Sequence, residues 1–236
     1  MLSFLLAALG WVQDRFVISF WVDPIVPPAE FDARYAEIAA AHFNVLLGGF
    51  GARDRNTVQA QLDAAARHNL VAIPSSCGGG KASASGSGLV EPGACVNLTS
   101  PALLGWQLSD EPAASSFAHL ATWTDAVAIA SPSALRFINL LPNYATPAQL
   151  NASDYDAYVR EYVRTVRPDV LCTDAYPFFE GPAAEEDRNT SKAGYVRNVR
   201  TLRDVARTSD PPLPWWNFFN AFAFGGHRDP TEAELR

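Results

Sequence analysis

Positive charge is scarce in this chain of 236 residues, and cysteine is scarcer. The 18 Lys and Arg residues are outnumbered by 25 Asp and Glu residues, so the net charge is −7. Because no basic stripe is present to neutralise phosphates, the composition argues against binding to nucleic acid, and no polybasic run suggests an anionic membrane surface. The chain has 3 cysteines, with no CxxC pair and no His/Cys cluster. The sequence therefore predicts no metal site.

Nucleotide-binding and serine-hydrolase signatures are also missing. No G-x-G-x-x-G follows the first predicted strand. The Gly-Gly-Gly-Lys run at 78–81 lacks the spacing of a phosphate-binding loop and the Ser or Thr that follows its Lys. No serine lies in a G-x-S-x-G elbow, which argues against an α/β-hydrolase. We therefore predict no cofactor.

The N-terminus carries an apolar run over 2–9 that is too short to span a bilayer. It favours a secretory leader over 1–15, although no basic residue precedes it, and an ordinary start is the alternative. Three Asn-x-Ser/Thr triplets, at Asn97, Asn151 and Asn189, are weak support for the same location. The prediction is a secreted glycoprotein without a membrane span.

The cysteines fit a secreted protein but leave two interpretations open. Cys77 and Cys95 flank a segment rich in Gly and Ser, and they could close it with a disulfide. Cys172 would then be free and buried in a strand. The alternative is that all of the thiols are unpaired.

An alternation of apolar strands with amphipathic helices runs along the whole chain and predicts an α/β fold. Predicted strands cover 16–21, 44–48, 70–74, 103–108, 136–140, 169–174 and 214–220. Predicted helices cover 31–42, 57–68, 117–130, 154–166 and 195–207. An open doubly wound sheet and a closed barrel both fit this alternation.

The most informative segment is the predicted strand at 103–108 and the residues after it. The apolar run is typical of a strand covered on both faces, and Pro112 must end it. Asp110 and Glu111 therefore lie at the carboxyl end of a central strand, where α/β folds place their chemistry. An acid held there can have a raised pKa and act as a proton donor. The alternative is an ordinary turn, with Ser109 or Asp110 as a helix cap.

Other polar and aromatic side chains recur where predicted strands end. Together they suit a ligand with many hydroxyl groups, because carboxylates and amides can bracket a diol while aromatic rings stack on a sugar face. For any single member, ordinary turn chemistry is the alternative. The candidate catalytic partner is Asp174, and the candidate substrate-binding residues are Trp21, Asp23, Asn139, Asn143, Tyr144, Tyr176 and Asn220.

The segment 105–112, Gly-Trp-x-Leu-x-Asp-Glu-Pro, resembles the fourth-strand motif of clan A glycoside hydrolases, where an Asn-Glu-Pro triplet supplies the acid/base glutamate. Through 137–144, 174–178 and 228–232 the chain also resembles a group of barrel proteins related to β-galactosidases and cellulases. The resemblance covers 16–236. It implies one domain with a TIM (β/α)8-type barrel. Because seven strands are visible, the barrel would be truncated before its eighth β/α unit.

The same resemblance implies roles for individual residues. Glu111 matches the general acid/base, and Asp110 replaces the asparagine that contacts the sugar 2-hydroxyl. The clan places its nucleophilic glutamate on the seventh strand, where this chain has Asn217 and Asn220 with two phenylalanines between them.

Three hypotheses follow for a β-linked carbohydrate. The chain could be an inverting glycosidase with Asp174 or Asp23 as partner of Glu111. It could be a retaining enzyme whose nucleophile lies in the missing eighth unit. It could also be a sugar-binding barrel without catalysis. A second carboxylate within about 5–10 Å of Glu111 would favour an enzyme.

Overall fold

The computed structural model describes residues 11–23, 26–48, 54–75, 98–181 and 190–234. The chain divides into two compact units that are not contiguous in sequence. The first unit comprises Met1–Ser109 and Ala118–Phe137, and the second comprises Asp110–Phe117 and Ile138–Arg236. The prediction of a single domain over 16–236 stays a prediction.

Six strands lie in the described residues, and they form two sheets. The strands are β1 (Val45–Gly48), β2 (Val71–Pro74), β3 (Gly105–Asp110), β4 (Leu135–Leu140), β5 (Leu171–Thr173) and β6 (Trp215–Asn217). β1 and β2 form a parallel pair, and the other four strands lie in the order β3-β4-β5-β6. The pairs β4–β5 and β5–β6 are parallel, with Asn139 opposite Cys172 and Thr173 opposite Asn217.

The helices alternate with these strands as the apolar periodicity predicted. They are α1 (Phe31–Ala40), α2 (Arg55–Arg67), α3 (Phe117–Ala130), α4 (Pro147–Leu150), α5 (Tyr155–Val166) and α6 (Lys192–Thr208). Side-chain caps fix several of the starts, because an oxygen before the first turn accepts from free backbone N–H groups. Asp54 caps α2, Asp154 caps α5 and Ser191 caps α6.

Each unit has its own apolar core. In the first unit, Val45, Leu46 and Leu47 of β1 are buried, and α2 packs on β2 with Val58 and Leu62 buried. In the second unit, the core is unusually aromatic. The buried rings of Tyr158 and Tyr162 lie 5.2 and 5.3 Å from the ring of Phe117. This aromatic packing lies beneath the residues that follow β3.

The predicted TIM (β/α)8-type barrel is wrong. The described residues form two parallel sheets of two and four strands, which is an α/β fold but not an eight-stranded barrel, truncated or otherwise. Isolated bridges join Ala72 to Leu103 and Ser75 to Gln107 between the two sheets, and they do not extend into a regular ladder. The helix and strand periodicity specified the alternation of elements but not the closure of a sheet.

The first predicted strand, at 16–21, is not a β-strand. The carbonyl of Ile18 accepts from the backbone N–H groups of Asn44 and Val45, at 3.0 and 3.3 Å. The N–H of Ile18, however, donates to the side-chain Oδ1 of Asn44 at 2.8 Å. Because a side chain replaces the backbone acceptor, the segment runs beside β1 without forming a regular ladder.

Residues 1–10, most of the predicted leader, and both Cys77 and Cys95 lie outside the described residues. Cys172 is buried with a free thiol in β5. Among the described helices, none has the length and apolar character needed to cross a bilayer.

Candidate active site

The carboxyl end of β3 turns sharply at its two acidic residues. Asp110 is the last residue of the strand, and Glu111 has a φ of +46°, in the left-handed region. For a residue with a Cβ atom this conformation costs on the order of 1 kcal/mol, and such strain tends to occur at functional sites. The backbone N–H of Glu111 donates to the carbonyl of Asn139 at 2.8 Å. The turn is thereby held against β4.

Neither Ser109 nor Asp110 caps a helix, so the alternative interpretation of the segment is not realised. The next helical turn, Ala114–Ser116, begins after Ala113 without a side-chain cap. Asp110 instead accepts a hydrogen bond from Asn139 Nδ2 at 3.0 Å. Since Asn139 is fully buried in β4, an amide from the neighbouring strand holds the first carboxyl group in place.

The third acidic side chain comes from the end of β5. Asp174 follows Thr173, the last residue of that strand, and its carboxyl group interacts with that of Glu111. Two interacting carboxyl groups cannot both be ionised at low cost, so one proton is favoured on the pair. Asp174 Oδ1 is buried without a hydrogen-bond partner, which also favours a neutral form of this group.

Burial raises the pKa values of all three carboxyl groups, and repulsion by neighbouring charges adds to the shift at Glu111 and Asp174. Burial and the charges of Glu111 and Asp110 raise the pKa of Asp174 to about 8. Burial and the charge of Asp110 raise the pKa of Glu111, and burial raises that of Asp110. Asp110 and Glu111 are exposed, so solvent screens their charges and weakens their pKa shifts. Asp174 is half-buried and less screened, so its raised pKa is the shift that matters most. At neutral pH the cluster therefore retains a proton.

Two tyrosines complete the arrangement in the second unit. The hydroxyl of Tyr144 donates to the backbone carbonyl of Asp174 at 3.2 Å. Burial and the charge of Asp174 raise the pKa of both Tyr144 and Tyr176, so both keep their protons at neutral pH. The ring of Tyr176 meets the rings of Phe224 and His227 edge-on, at 5.0 and 5.2 Å. Both tyrosines are half-buried, and they can offer ring faces or hydroxyl groups to a ligand.

Two predicted substrate-binding amides are engaged in internal hydrogen bonds. Asn143 is buried, with its Nδ2 donating to the carbonyl of Gly194 at 2.9 Å. Asn220 is also buried, and its Nδ2 donates to the carbonyl of Arg228 at 3.1 Å. Both bonds reach residues beyond the span of a local turn, so they are tertiary contacts and differ from the local turn bonds that were the alternative for each asparagine.

Trp21 and Asp23 belong to the first unit. Asp23 is buried, and its Oδ2 accepts from Tyr35 Oη at 2.5 Å and from Gln61 Nε2 at 2.7 Å. Its backbone N–H donates to the carbonyl of Leu47 at 2.7 Å. The side chain of Asp23 is therefore part of a polar network under the end of β1, and the carboxyl cluster consists of residues from the second unit.

The sequence did not predict the role of Tyr158 in this site. The hydroxyl of Tyr158 donates to the carbonyl of Pro112 at 2.7 Å and so fixes the residue that follows Glu111. Tyr155, Tyr158 and Tyr162 recur on the apolar face of α5, and that pattern predicted only packing. A buried tyrosine needs a partner for its hydroxyl group, which was the signal available in the sequence.

The described residues contain no group of three or more His, Cys, Asp or Glu side chains that could hold a metal ion. No family model matches this chain, and no curated protein matches it either.

Proposed function

We propose that this protein is a glycoside hydrolase acting on a β-linked carbohydrate, with Glu111 as general acid and Asp174 as its partner. The observation that carries the proposal is the placement of Glu111 and Asp174 at the carboxyl ends of β3 and β5, where burial raises the pKa values of both. The resemblance of segment 105–112 to clan A glycoside hydrolases supports the choice of substrate. The function is argued from the site, because an α/β fold alone does not specify chemistry.

The two carboxyl groups can perform complementary proton transfers. The proton that rests on Asp174 in the free protein must first pass to Glu111. Glu111 then gives it to the glycosidic oxygen, and the bond between that oxygen and the anomeric carbon breaks. A water molecule adds to the carbon while the Asp174 carboxylate takes its proton. The pair then holds one proton again, as it did at the start.

The geometry of the pair bears on the stereochemical outcome. Retaining enzymes hold their carboxyl groups about 5–5.5 Å apart, and inverting enzymes about 6.5–9.5 Å apart. Asp174 influences the pKa of Glu111, so the two carboxyl groups are close enough to act on one substrate. Asn217 and Asn220 place amides, not carboxylates, at the end of β6 and just after it. Inversion with Asp174 as base is therefore the mechanism that we favour.

A carbohydrate-binding protein without catalysis is the second candidate. The amides at Asn217 and Asn220 favour it, because they stand where the clan has its nucleophile. In that case the hydroxyl groups of Tyr144 and Tyr176 and the carboxyl cluster would bind sugar hydroxyls only. We also propose a secretory location for either function; Asn151, within one acceptor triplet, is exposed.

The deciding experiment is hydrolysis of a panel of aryl glycosides and oligosaccharides by the protein and three variants. Glu111→Gln and Asp174→Asn each keep the shape of the side chain and remove its proton chemistry. Glu161→Gln changes a half-exposed glutamate on α5, outside the carboxyl cluster, and serves as the control. We expect the first two variants to lose activity by about 10²–10⁴-fold, which is the usual contribution of a general acid or base.

Each outcome has a defined meaning. Activity that is lost in Glu111→Gln and kept in Glu161→Gln supports the enzyme, and NMR of the first product anomer then tests inversion. No turnover on any substrate, with equal sugar binding in protein and variant, overturns the catalytic assignment and favours the binder. Because the pair must hold one proton for Glu111 to act as the acid, activity should fall as the pH rises past about 8, where the proton of Asp174 is released as its pKa is passed.

A further inference from the structure

The turn that carries Glu111 needs support from outside the turn. Glu111 has a φ of +46° although it directly precedes a proline. A residue before proline is normally restricted to extended conformations. Strained backbone persists only where the surrounding structure over-determines it. The contacts on both sides of Glu111 therefore show what fixes the position of its carboxyl group.

Two contacts hold the turn, one on each side of Glu111. On the strand side, the N–H of Glu111 donates to the carbonyl of Asn139 at 2.8 Å. On the other side, Tyr158 Oη donates to the carbonyl of Pro112 at 2.7 Å. The same hydroxyl accepts a longer bond, 3.4 Å, from the N–H of Leu141, which directly follows β4. Tyr158 thus joins the turn to the end of the neighbouring strand.

The ring of Tyr158 is itself firmly placed. It is fully buried, lies 5.2 Å from the ring of Phe117 and stacks on Tyr155 at 6.2 Å. A hydroxyl on a ring with this little freedom is a fixed point. Moving the Pro112 carbonyl would leave the Tyr158 hydroxyl without its acceptor in a buried place, which is unfavourable.

We propose that Tyr158 is a positioning residue that directs the Glu111 carboxyl group towards Asp174 by anchoring Pro112. This role rests on the proposed function, in which Glu111 is the general acid. Tyr158 acts through the turn and does not touch substrate. Removing its hydroxyl should loosen the contact between the two carboxyl groups while leaving the aromatic core in place.

The test uses Tyr158→Phe in the full chain, which removes the hydroxyl and keeps the ring. Tyr162→Phe removes a hydroxyl one turn further along α5 and keeps its ring against Phe117, so it is the matched control. Carboxyl ¹³C NMR titration measures Glu111 and Asp174 directly, without any need for turnover. We expect the Asp174 titration midpoint in Tyr158→Phe to fall from about 8, since Glu111 no longer adjoins it as closely. Tyr162→Phe should leave it in place.

On a substrate that the protein hydrolyses, Tyr158→Phe should lower kcat by about tenfold or more while KM changes little, because misplacing a catalytic group mainly affects the chemical step. The alkaline limb of the pH profile should move with the Asp174 midpoint. Unchanged carboxyl titrations in Tyr158→Phe overturn the positioning role, whatever the activity is. Shifted titrations in a protein that hydrolyses no glycoside leave Tyr158 as an anchor of the turn and reject the proposed function instead.

Discussion

Among single residues outside the candidate active site, Asp23 has the most demanding surroundings. It is 5% exposed, and its Oδ2 accepts from both Tyr35 and Gln61. The other oxygen of Asp23, Oδ1, and the side-chain Oε1 of Gln61 are both buried without a donor. Neither oxygen is accessible to water, so two acceptors remain unsatisfied if Asp23 is ionised.

A single proton on Asp23 removes this conflict. Protonated Oδ1 can donate to Gln61 Oε1 while Gln61 Nε2 donates to Asp23 Oδ2, which makes a cyclic pair of an acid and an amide. Burial also raises the pKa of Asp23 above its ordinary 3.8. We therefore expect Asp23 to be a neutral acid over much of the acidic pH range.

Replacing Asp23 by asparagine tests this directly. The amide of Asp23→Asn can donate to Gln61 Oε1 as the protonated acid would, and its carbonyl can still accept from Tyr35 and Gln61. Because the folded pKa is raised, the stabilising contribution of Asp23 is fully present below 3.8 and is lost as pH rises through the folded value. Over that interval, wild-type stability should fall relative to Asp23→Asn by up to about 1.4 kcal/mol per pH unit.

Urea unfolding at several pH values measures the difference in the free energy of unfolding. Asp63→Asn, which alters an exposed carboxylate on α2, is the control and should show no such trend. If Asp23 is ionised in the folded protein, Asp23→Asn will instead be less stable than wild type throughout the neutral range.

At the scale of elements, apolar periodicity predicted most helices and strands because each buries one face or one run. The segment 16–21 shows where this reasoning fails. Its apolar residues satisfied the pattern of a strand, but the side chain of Asn44 takes the place of a backbone acceptor. Sheet closure failed for a different reason, since local patterns do not encode which distant strands meet.

The candidate site was likewise predictable only in part. Asp110, Glu111, Asn139 and Asp174 could be found because parallel strands bring their carboxyl ends together. The direct contact between Glu111 and Asp174 could not be predicted, since it depends on the left-handed turn and on the hydroxyl of Tyr158 from α5. Tertiary contacts set the geometry that the local sequence leaves open.

Gly105 offers a test of how β3 pairs with its neighbour. A Cβ atom at this position would overlap the carbonyl oxygen of Leu135 and lie 2.5 Å from its Cβ. Because the obstacle includes backbone, the strands must shift to relieve it. We expect Gly105→Ala to lower the free energy of unfolding by about 1–3 kcal/mol, as overpacked sites do.

The comparison for this variant is Ser109→Ala, further along the same strand at a half-buried position. Its thermal unfolding midpoint should stay close to that of the wild type. Gly105→Ala with an unchanged midpoint would show that β3 and the start of β4 are not as close as the structure has them.

For the whole molecule, two opposing sets of carboxyl groups determine the dependence of stability on pH. Burial raises the pKa values of Asp23, Asp110, Glu111 and Asp174. Hydrogen bonds lower the pKa values of Asp32, Asp54, Glu161 and Glu234. The first set stabilises the folded state at low pH, and the second set does so above the ordinary pKa values.

The sign of each contribution predicts a maximum of stability on the acidic side of neutrality. The contributions of the hydrogen-bonded set, whose pKa values are lowered, are lost as pH falls below about 4, where these carboxyl groups take up protons in the unfolded chain. The contribution of Asp174 is lost as pH rises through about 8, because its folded form then releases the proton that burial retains. Stability should therefore be greatest near about pH 4 and decline from there to about pH 8, the interval between the ordinary and the folded pKa of Asp174.

Urea midpoints from pH 4 to pH 9 test this expectation, with Asp23→Asn and Asp174→Asn measured beside the wild type. Each variant removes one buried titrating group, so each should flatten the alkaline decline by its own share, and the double variant should flatten it most. The two sites lie in different units and share no hydrogen-bond partner among the described residues, so their effects should add. A wild-type midpoint that rises steadily up to pH 9 would show that the buried carboxyl groups titrate as ordinary exposed ones.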